Sequence, residues 1–180
     1  MVTSAIGMLL AGTVVLLLVQ SAVEQRNGYA DTTVEEKAYT LEANITSCLR
    51  CMSANQGLTP IYSSGLYNTN GILLGYQSVF VFYPTNGAYT TASISYNAGQ
   101  VTYTPDVSAP SIQTVWMSNS ASSALTELYF STSFNPDGSP NSSLVNVVFQ
   151  MNDNGFSQQN PNNNPASVFR NFSIQMRNDN

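Results

Sequence analysis

Tyr76-Gln77-Ser78-Val79-Phe80-Val81-Phe82-Tyr83 is the stretch whose reading decides the fold. Its centre alternates Val with Phe, so an extended chain places apolar side chains on both of its sides. A strand with one wet face would alternate apolar with polar residues, so this pattern predicts a central strand. Downstream, Ala92 to Tyr96 and Val101 to Thr104 flank Asn97-Ala98-Gly99-Gln100, a hairpin with Gly available for positive φ. Glu127 to Phe134 and Ser143 to Met151 flank a turn containing Asn135-Pro136-Asp137-Gly138. Phe169 to Met176 is a last alternating run, and the whole signal is antiparallel β. Thr104 to Ser111 and Asn152 to Pro165 are polar and Pro-bounded, which predicts surface loops.

Upstream the periodicity changes. Thr32 with Glu35, or Thr33 with Glu36, forms a capping-box pattern that predicts a helix start. From there Val34, Ala38, Leu41, Ile45, Cys48 and Met52 recur at alternating spacings of four and three, one stripe on one helix face. This stripe is expected to pack on the sheet through Val79 and Val81 or through Phe80 and Phe82. Ahead of it, Met1 to Val23 contains no charged residue, and Val14 to Val19 is unbroken Val and Leu. A helix apolar all round must be surrounded by lipid or by other apolar helices. Gly28 predicts a break between the two helical pieces, at 27–31.

The expected fold class is therefore α+β: a long N-terminal α-helix, with an apolar half and an amphipathic half, followed by an antiparallel β-sheet or sandwich head domain. Residues 1–53 form the helical arm, with 1–26 as apolar assembly or membrane segment and 32–53 as amphipathic helix, and 54–180 form the head. At 1.5 Å per residue the arm would be about 75 Å long. A cleaved signal peptide, with Gln20-Ser21-Ala22 as cleavage site, and a simple membrane anchor are alternatives for the apolar run. The first basic residue is Arg26, so there is no charged n-region, which suggests a leader removed just before Met1.

Composition narrows the chemistry. The chain has 180 residues, 8% of them charged, no His and a formal net charge of −5. Five Lys and Arg in all argue against a nucleic-acid partner, since phosphate contacts need clustered cations. Without His there is no Ser or Cys triad, and there is neither a phosphate-cradling Gly-rich loop nor a Gly-x-Ser-x-Gly elbow. Asp106, Glu127, Asp137, Asp153 and Asp179 fall mostly in turns or loops, a poor basis for paired acid and base. No catalytic residue, cofactor or metal site is expected. Cys48 and Cys51 cannot complete a zinc site; they are open to a short-range disulfide, to buried free thiols, or to redox chemistry. Asn152-Asp153-Asn154-Gly155 reads more simply as a turn than as a calcium loop. The ten Tyr and eight Phe read as core and cross-strand pairs before they read as a sugar-binding platform. Asn44, Asn141 and Asn171 each open an Asn-x-Ser/Thr acceptor, compatible with a glycan-coated surface.

The start Met1-Val2-Thr3-Ser4, the apolar helix, and the block Thr33-Val34-Glu35-Glu36-Lys37-Ala38-Tyr39-Thr40-Leu41-Glu42-Ala43-Asn44 running into a Gly- and Asn-rich β region together resemble the type IV pilin and pseudopilin family. The closing Phe169-Arg170-Asn171-Phe172-Ser173-Ile174-Gln175-Met176-Arg177-Asn178 is similar to the terminal strand of larger minor pilins. The resemblance implies a basic leader removed by a prepilin peptidase before Met1. It also implies a precursor held in the inner or cytoplasmic membrane, pilus assembly machinery as partner, and copies of the same chain as neighbours in an extracellular filament. Ala5 stands where bacterial pilins usually carry Glu, so that residue's role does not transfer. Met1, Ala5, Gly7, Leu9, Gly12, Leu16 and Val19 would lie in the assembly helix, whose small residues allow close helix approach. A structural, non-enzymatic filament subunit is the expected function; a membrane-anchored β-domain adhesin or binding module, or a minor tip pseudopilin, is the alternative.

Overall fold

A computed structural model describes residues 2–53, 59–85, 88–120, 123–153 and 167–176, with side chains throughout those ranges except at 2–11, 26, 27, 30, 31, 140 and 142. One helix assignment, α1, runs Val2–Arg50. Eight strands follow: β1 Ile61–Tyr67, β2 Leu73–Thr85, β3 Ala88–Asn97, β4 Gln100–Thr104, β5 Thr114–Ser118, β6 Ala124–Phe134, β7 Pro140–Asn152 and β8 Ser167–Gln175.

All strand pairs are antiparallel, and β2 is the trunk of a single sheet ordered β5-β4-β3-β2-β6-β7-β8, with β1 also on β2. Phe80 pairs with Ile61 of β1 and with Ser93 of β3, so those strands lie on opposite edges of β2. Tyr76 pairs with Gly65 of β1 and with Phe130 of β6. It follows that β3 and β6 share one edge of β2, β3 taking its C-terminal half and β6 its N-terminal half. From that shared edge the sheet forks into two arms, β3-β4-β5 and β6-β7-β8, and curls into a half-barrel.

Helix residues 32–50 fill the open side. Val34, Ala38, Leu41, Ile45, Leu49 and Met52 are buried in one cluster with Val79, Val81, Ile94, Phe130, Phe149 and Ile174. The helix touches β5 at the end of one arm and β7 and β8 at the end of the other. Between the two choices left by β2, Val79 and Val81 face the helix, while Phe80 and Phe82 are half-buried on the other side. Polar clamps hold both flanks. Arg170 of β8 donates to Glu35 at 2.6 Å and lies 3.4 Å from Glu42. Across the helix, Lys37 donates to Ser123 at 2.6 Å and to Ser120 at 3.2 Å, in the loop between β5 and β6.

The expected long pilin-type helix carrying a separate sheet or sandwich head is corrected by this architecture. The helix is described in full only over two short stretches, 12–25 and 32–50, and the mass of the protein is one antiparallel half-barrel. Of the two, only the second stretch carries buried residues, and it is an integral wall of the β core instead of the far half of a rod. Apolar periodicity marks which residues avoid water; it does not state whether successive helical runs act as one element, because that depends on what packs against each. There is no second sheet among the described residues, so no sandwich forms.

The capping boxes are corrected as well. Thr32 and Thr33 donate to the carbonyls of Gly28 and Tyr29 at 2.7 and 2.8 Å, four residues back. Such back-bonding belongs to a helix interior, not to an N-terminus. The backbone at 27–31 is assigned helical, with the side chains of 26, 27, 30 and 31 outside the description, so the expected break has no support there.

The hairpin between β3 and β4 turns on Ala98 and Gly99, with φ of 48° and 83°, the two positive values a tight two-residue turn demands. Between β6 and β7, the Asn135-to-Ser139 turn closes with Gly138 donating to the Asn135 carbonyl at 2.9 Å. The expected loop at Thr104 to Ser111 begins at the last residue of β4, and most of Asn152 to Pro165 lies outside the described residues.

Candidate functional site

Two surfaces are left over once the core is closed. The first is helical. Val14, Val15, Leu16, Leu17, Leu18 and Val19 are each between 54 and 64% exposed. Successive helix residues step by about 100°, so these six cover the full circumference and no single face is turned to the protein. Gly12 and Leu16 form an apolar groove along one side with Leu17 and Thr13. The expected assembly residues Gly12, Leu16 and Val19 are thus together and exposed, whereas the side chains of Met1, Ala5, Gly7 and Leu9 lie outside the described residues. Among the described residues no helix is long and apolar enough to cross a membrane.

The second surface is a cleft of about 430 Å³ at the C-terminal end of α1. Asn44, Ser47, Cys48 and Cys51 form its helical wall, because spacings of three, four and seven residues share a helix face. The opposing wall comes from the end of β2, from β4 and from β5, with Tyr83, Tyr103 and Trp116. The rings of Tyr103 and Trp116 stack at 4.8 Å with planes 16° apart. Tyr83 is held by its hydroxyl, which donates to the Pro105 carbonyl at 2.9 Å. Among the described residues, none that lines the cleft is charged.

Cys48 and Cys51 are free thiols, Cys48 half-buried and Cys51 exposed, so the short-range disulfide is not formed. Burial pushes the Cys48 thiol up to about 12, against a hydrogen bond with Tyr103 that favours the thiolate. A thiol so shifted is a poor nucleophile, because the thiolate is the reactive form. Tyr103 is itself raised, first by burial and then by the neighbouring Cys48.

Of the carboxylates expected mostly in turns or loops, Asp106 and Asp137 do turn work, whereas Glu127 lies within β6 and Asp179 falls outside the described residues. Asp106 and Asp137 each accept from the backbone N–H and the hydroxyl of the Ser two residues on, at 2.9 and 2.6 Å. Those bonds hold both carboxyls below their ordinary range. Among the described residues no group of three or more His, Cys, Asp or Glu is placed to hold a metal.

The three acceptor asparagines are dispersed. Asn44 lines the cleft, Asn171 is exposed on β8, and Asn141 is at the start of β7 with its carbonyl oxygen accepting from the Ser143 N–H at 3.1 Å and hydroxyl at 2.8 Å. Sequence reasoning missed the aromatic cleft. Trp116 lies in a strand too short to stand out; the pairing of β4 with β5 sets it beside Tyr103, and the curl of the sheet brings that arm to the helix. Comparison with protein-family models, with curated proteins and with solved structures returned no match.

Proposed function

We propose that this chain is a structural subunit of an extracellular type IV pilus-like filament, assembled through its apolar N-terminal segment with the half-barrel facing outward. One observation carries the proposal: Val14 to Val19 are exposed on every side of the helix while the half-barrel already has a complete core of its own. A dimer contact would cover one stripe. A helix apolar all round needs neighbours on all sides, which a bundle of many copies supplies. Copies related by a screw operation make contacts that do not close, and the product is a fibre. The low charge and the Asn-x-Ser/Thr acceptors suit a glycan-coated outer surface.

An ion introduced at the buried centre of such a bundle costs several kcal/mol. Leu16→Asp and Gly12→Arg are therefore expected to abolish filaments in electron micrographs of sheared surface material, while circular dichroism still shows the β-sheet. Filaments of normal yield from both variants overturn the proposal. Full-length protein found only in the membrane fraction, with none in the sheared material, points instead to an anchored binding module.

A further inference from the structure

We infer that the cleft between α1 and the β2, β4 and β5 strands is a saccharide site that takes a neutral pyranose ring. The inference goes beyond filament assembly and stands whether or not filaments form. Binding pockets for small molecules combine an aromatic or apolar lining with a few convergent polar groups. Here Tyr103 and Trp116, stacked on each other, supply an aromatic lining, and Tyr83 is fixed beside them by its bond to the Pro105 carbonyl. A pyranose ring has a matching surface, with C–H bonds gathered on one face and hydroxyls around the rim.

The facing wall matches the rim. Asn44 and Ser47 sit one helical turn apart on the cleft side of α1, and among the described residues neither side chain has a hydrogen-bond partner. The Asn44 amide offers two donors and an acceptor, and the Ser47 hydroxyl offers one donor and accepts as well. Vicinal sugar hydroxyls call for that mixture. Among the described residues none that lines the cleft is charged, so a charged ligand would be desolvated there without a counter-ion.

Sugar of this chemistry has two sources: a free saccharide, or a glycan attached to the chain at Asn44, which opens the acceptor Asn44-Ile45-Thr46. Attachment would form a bond from the Asn44 side-chain nitrogen to the sugar C1 and break the C1–O bond of a lipid-linked pyrophosphate donor. The amide proton is lost and the lipid pyrophosphate leaves. Both sources put the ring against Trp116, the only Trp in the chain, so its emission is a built-in reporter.

The test uses native full-length protein. Peptide mapping by mass spectrometry establishes whether Asn44 is modified, and Trp116 emission is followed while glucose, galactose, mannose and N-acetylglucosamine are titrated separately. If Asn44 is bare, at least one sugar is expected to give a saturable change in emission, with Asn44→Ala and Ser47→Ala each weakening it about tenfold. If Asn44 is modified, Thr46→Ala, which removes the acceptor outside the cleft, is expected to shift Trp116 emission and to open the cleft to free sugar. Absence of any saturable sugar response in a protein bare at Asn44, or a modified protein whose Trp116 emission ignores Thr46→Ala, overturns the inference.

Discussion

Replacing Leu41 by Ala is expected to destabilise the protein by about 3–4 kcal/mol, and removing its neighbour Glu42 by far less. Leu41 is 1% exposed, at the middle of the helical stripe that meets Val79 and Val81. Truncation deletes three carbon positions, roughly 2.4 kcal/mol at about 0.8 kcal/mol per buried carbon group. The residual cavity adds to that, because a core clamped on both flanks by Arg170 and Lys37 cannot collapse freely. For a chain of this size each kcal/mol moves the melting midpoint by about 2–4 °C, so the midpoint should fall by roughly 6–16 °C. Glu42 lies 3.4 Å from Arg170 and is about a third exposed. Such a pair contributes about 0–1 kcal/mol, and Arg170 retains Glu35 when it is lost. Thermal unfolding of the full chain, followed by Trp116 fluorescence, compares Leu41→Ala with Glu42→Ala. Equal shifts from the two variants would refute the placement of this helix as a wall of the core.

Three further outcomes follow from other parts of the fold. Lys37→Ala strips a charged donor from Ser123, a fully buried hydroxyl, and is expected to cost about 1.5–3 kcal/mol by chemical denaturation; Lys37→Arg should recover part of it. Gly99→Ala forces a side chain into a φ of +83° and against the Asn119 amide, whose oxygen accepts from Leu125 N–H at 2.7 Å. A loss of about 1–3 kcal/mol is expected, and an unchanged denaturation midpoint would count against the tight turn. With the Cys48 thiol raised to about 12 from an ordinary 9.0, alkylation at pH 8 should label Cys51 and spare Cys48. The sign is that of a proton held by the fold: its stabilisation is complete below pH 9 and is lost as pH rises toward 12. Peptide mapping after iodoacetamide treatment checks the labelling.

Local patterns were legible in proportion to how local their causes are. The Val and Phe alternation at 79–82 lies in the trunk strand, and the Asn97–Gln100 and Asn135–Ser139 turns stand where Gly and Pro placed them, since a positive φ or a fixed φ is a property of one residue. The buried stripe gained Leu49 and relegated Cys48 to its margin, because 3.6 residues per turn drift away from a strict alternation of four and three. Thr32 and Thr33 misled for a physical reason: the same hydroxyl can cap a helix start or bond back within a helix, and only the conformation of the preceding residues decides which. β1 and β5 carried too little alternation to be recognised, although β5 contributes Trp116 to the cleft.

By itself the sequence determined the amphipathic helical region, the strands other than β1 and β5, the low charge, the absence of His, and an apolar segment that the chain's own core does not cover. Those are properties of residue type and near-neighbour spacing, which survive in any fold. Only the tertiary structure decided that β3 and β6 share one edge of β2, that helix residues 32–50 close the half-barrel, and that Arg170 and Lys37 clamp its two flanks. Arg170 and Glu35 are 135 positions apart, and Lys37 and Ser123 are 86 apart. Contacts across such separations depend on how the strands are ordered, and strand order is chosen by the summed packing of the whole core, not by any single stretch of chain.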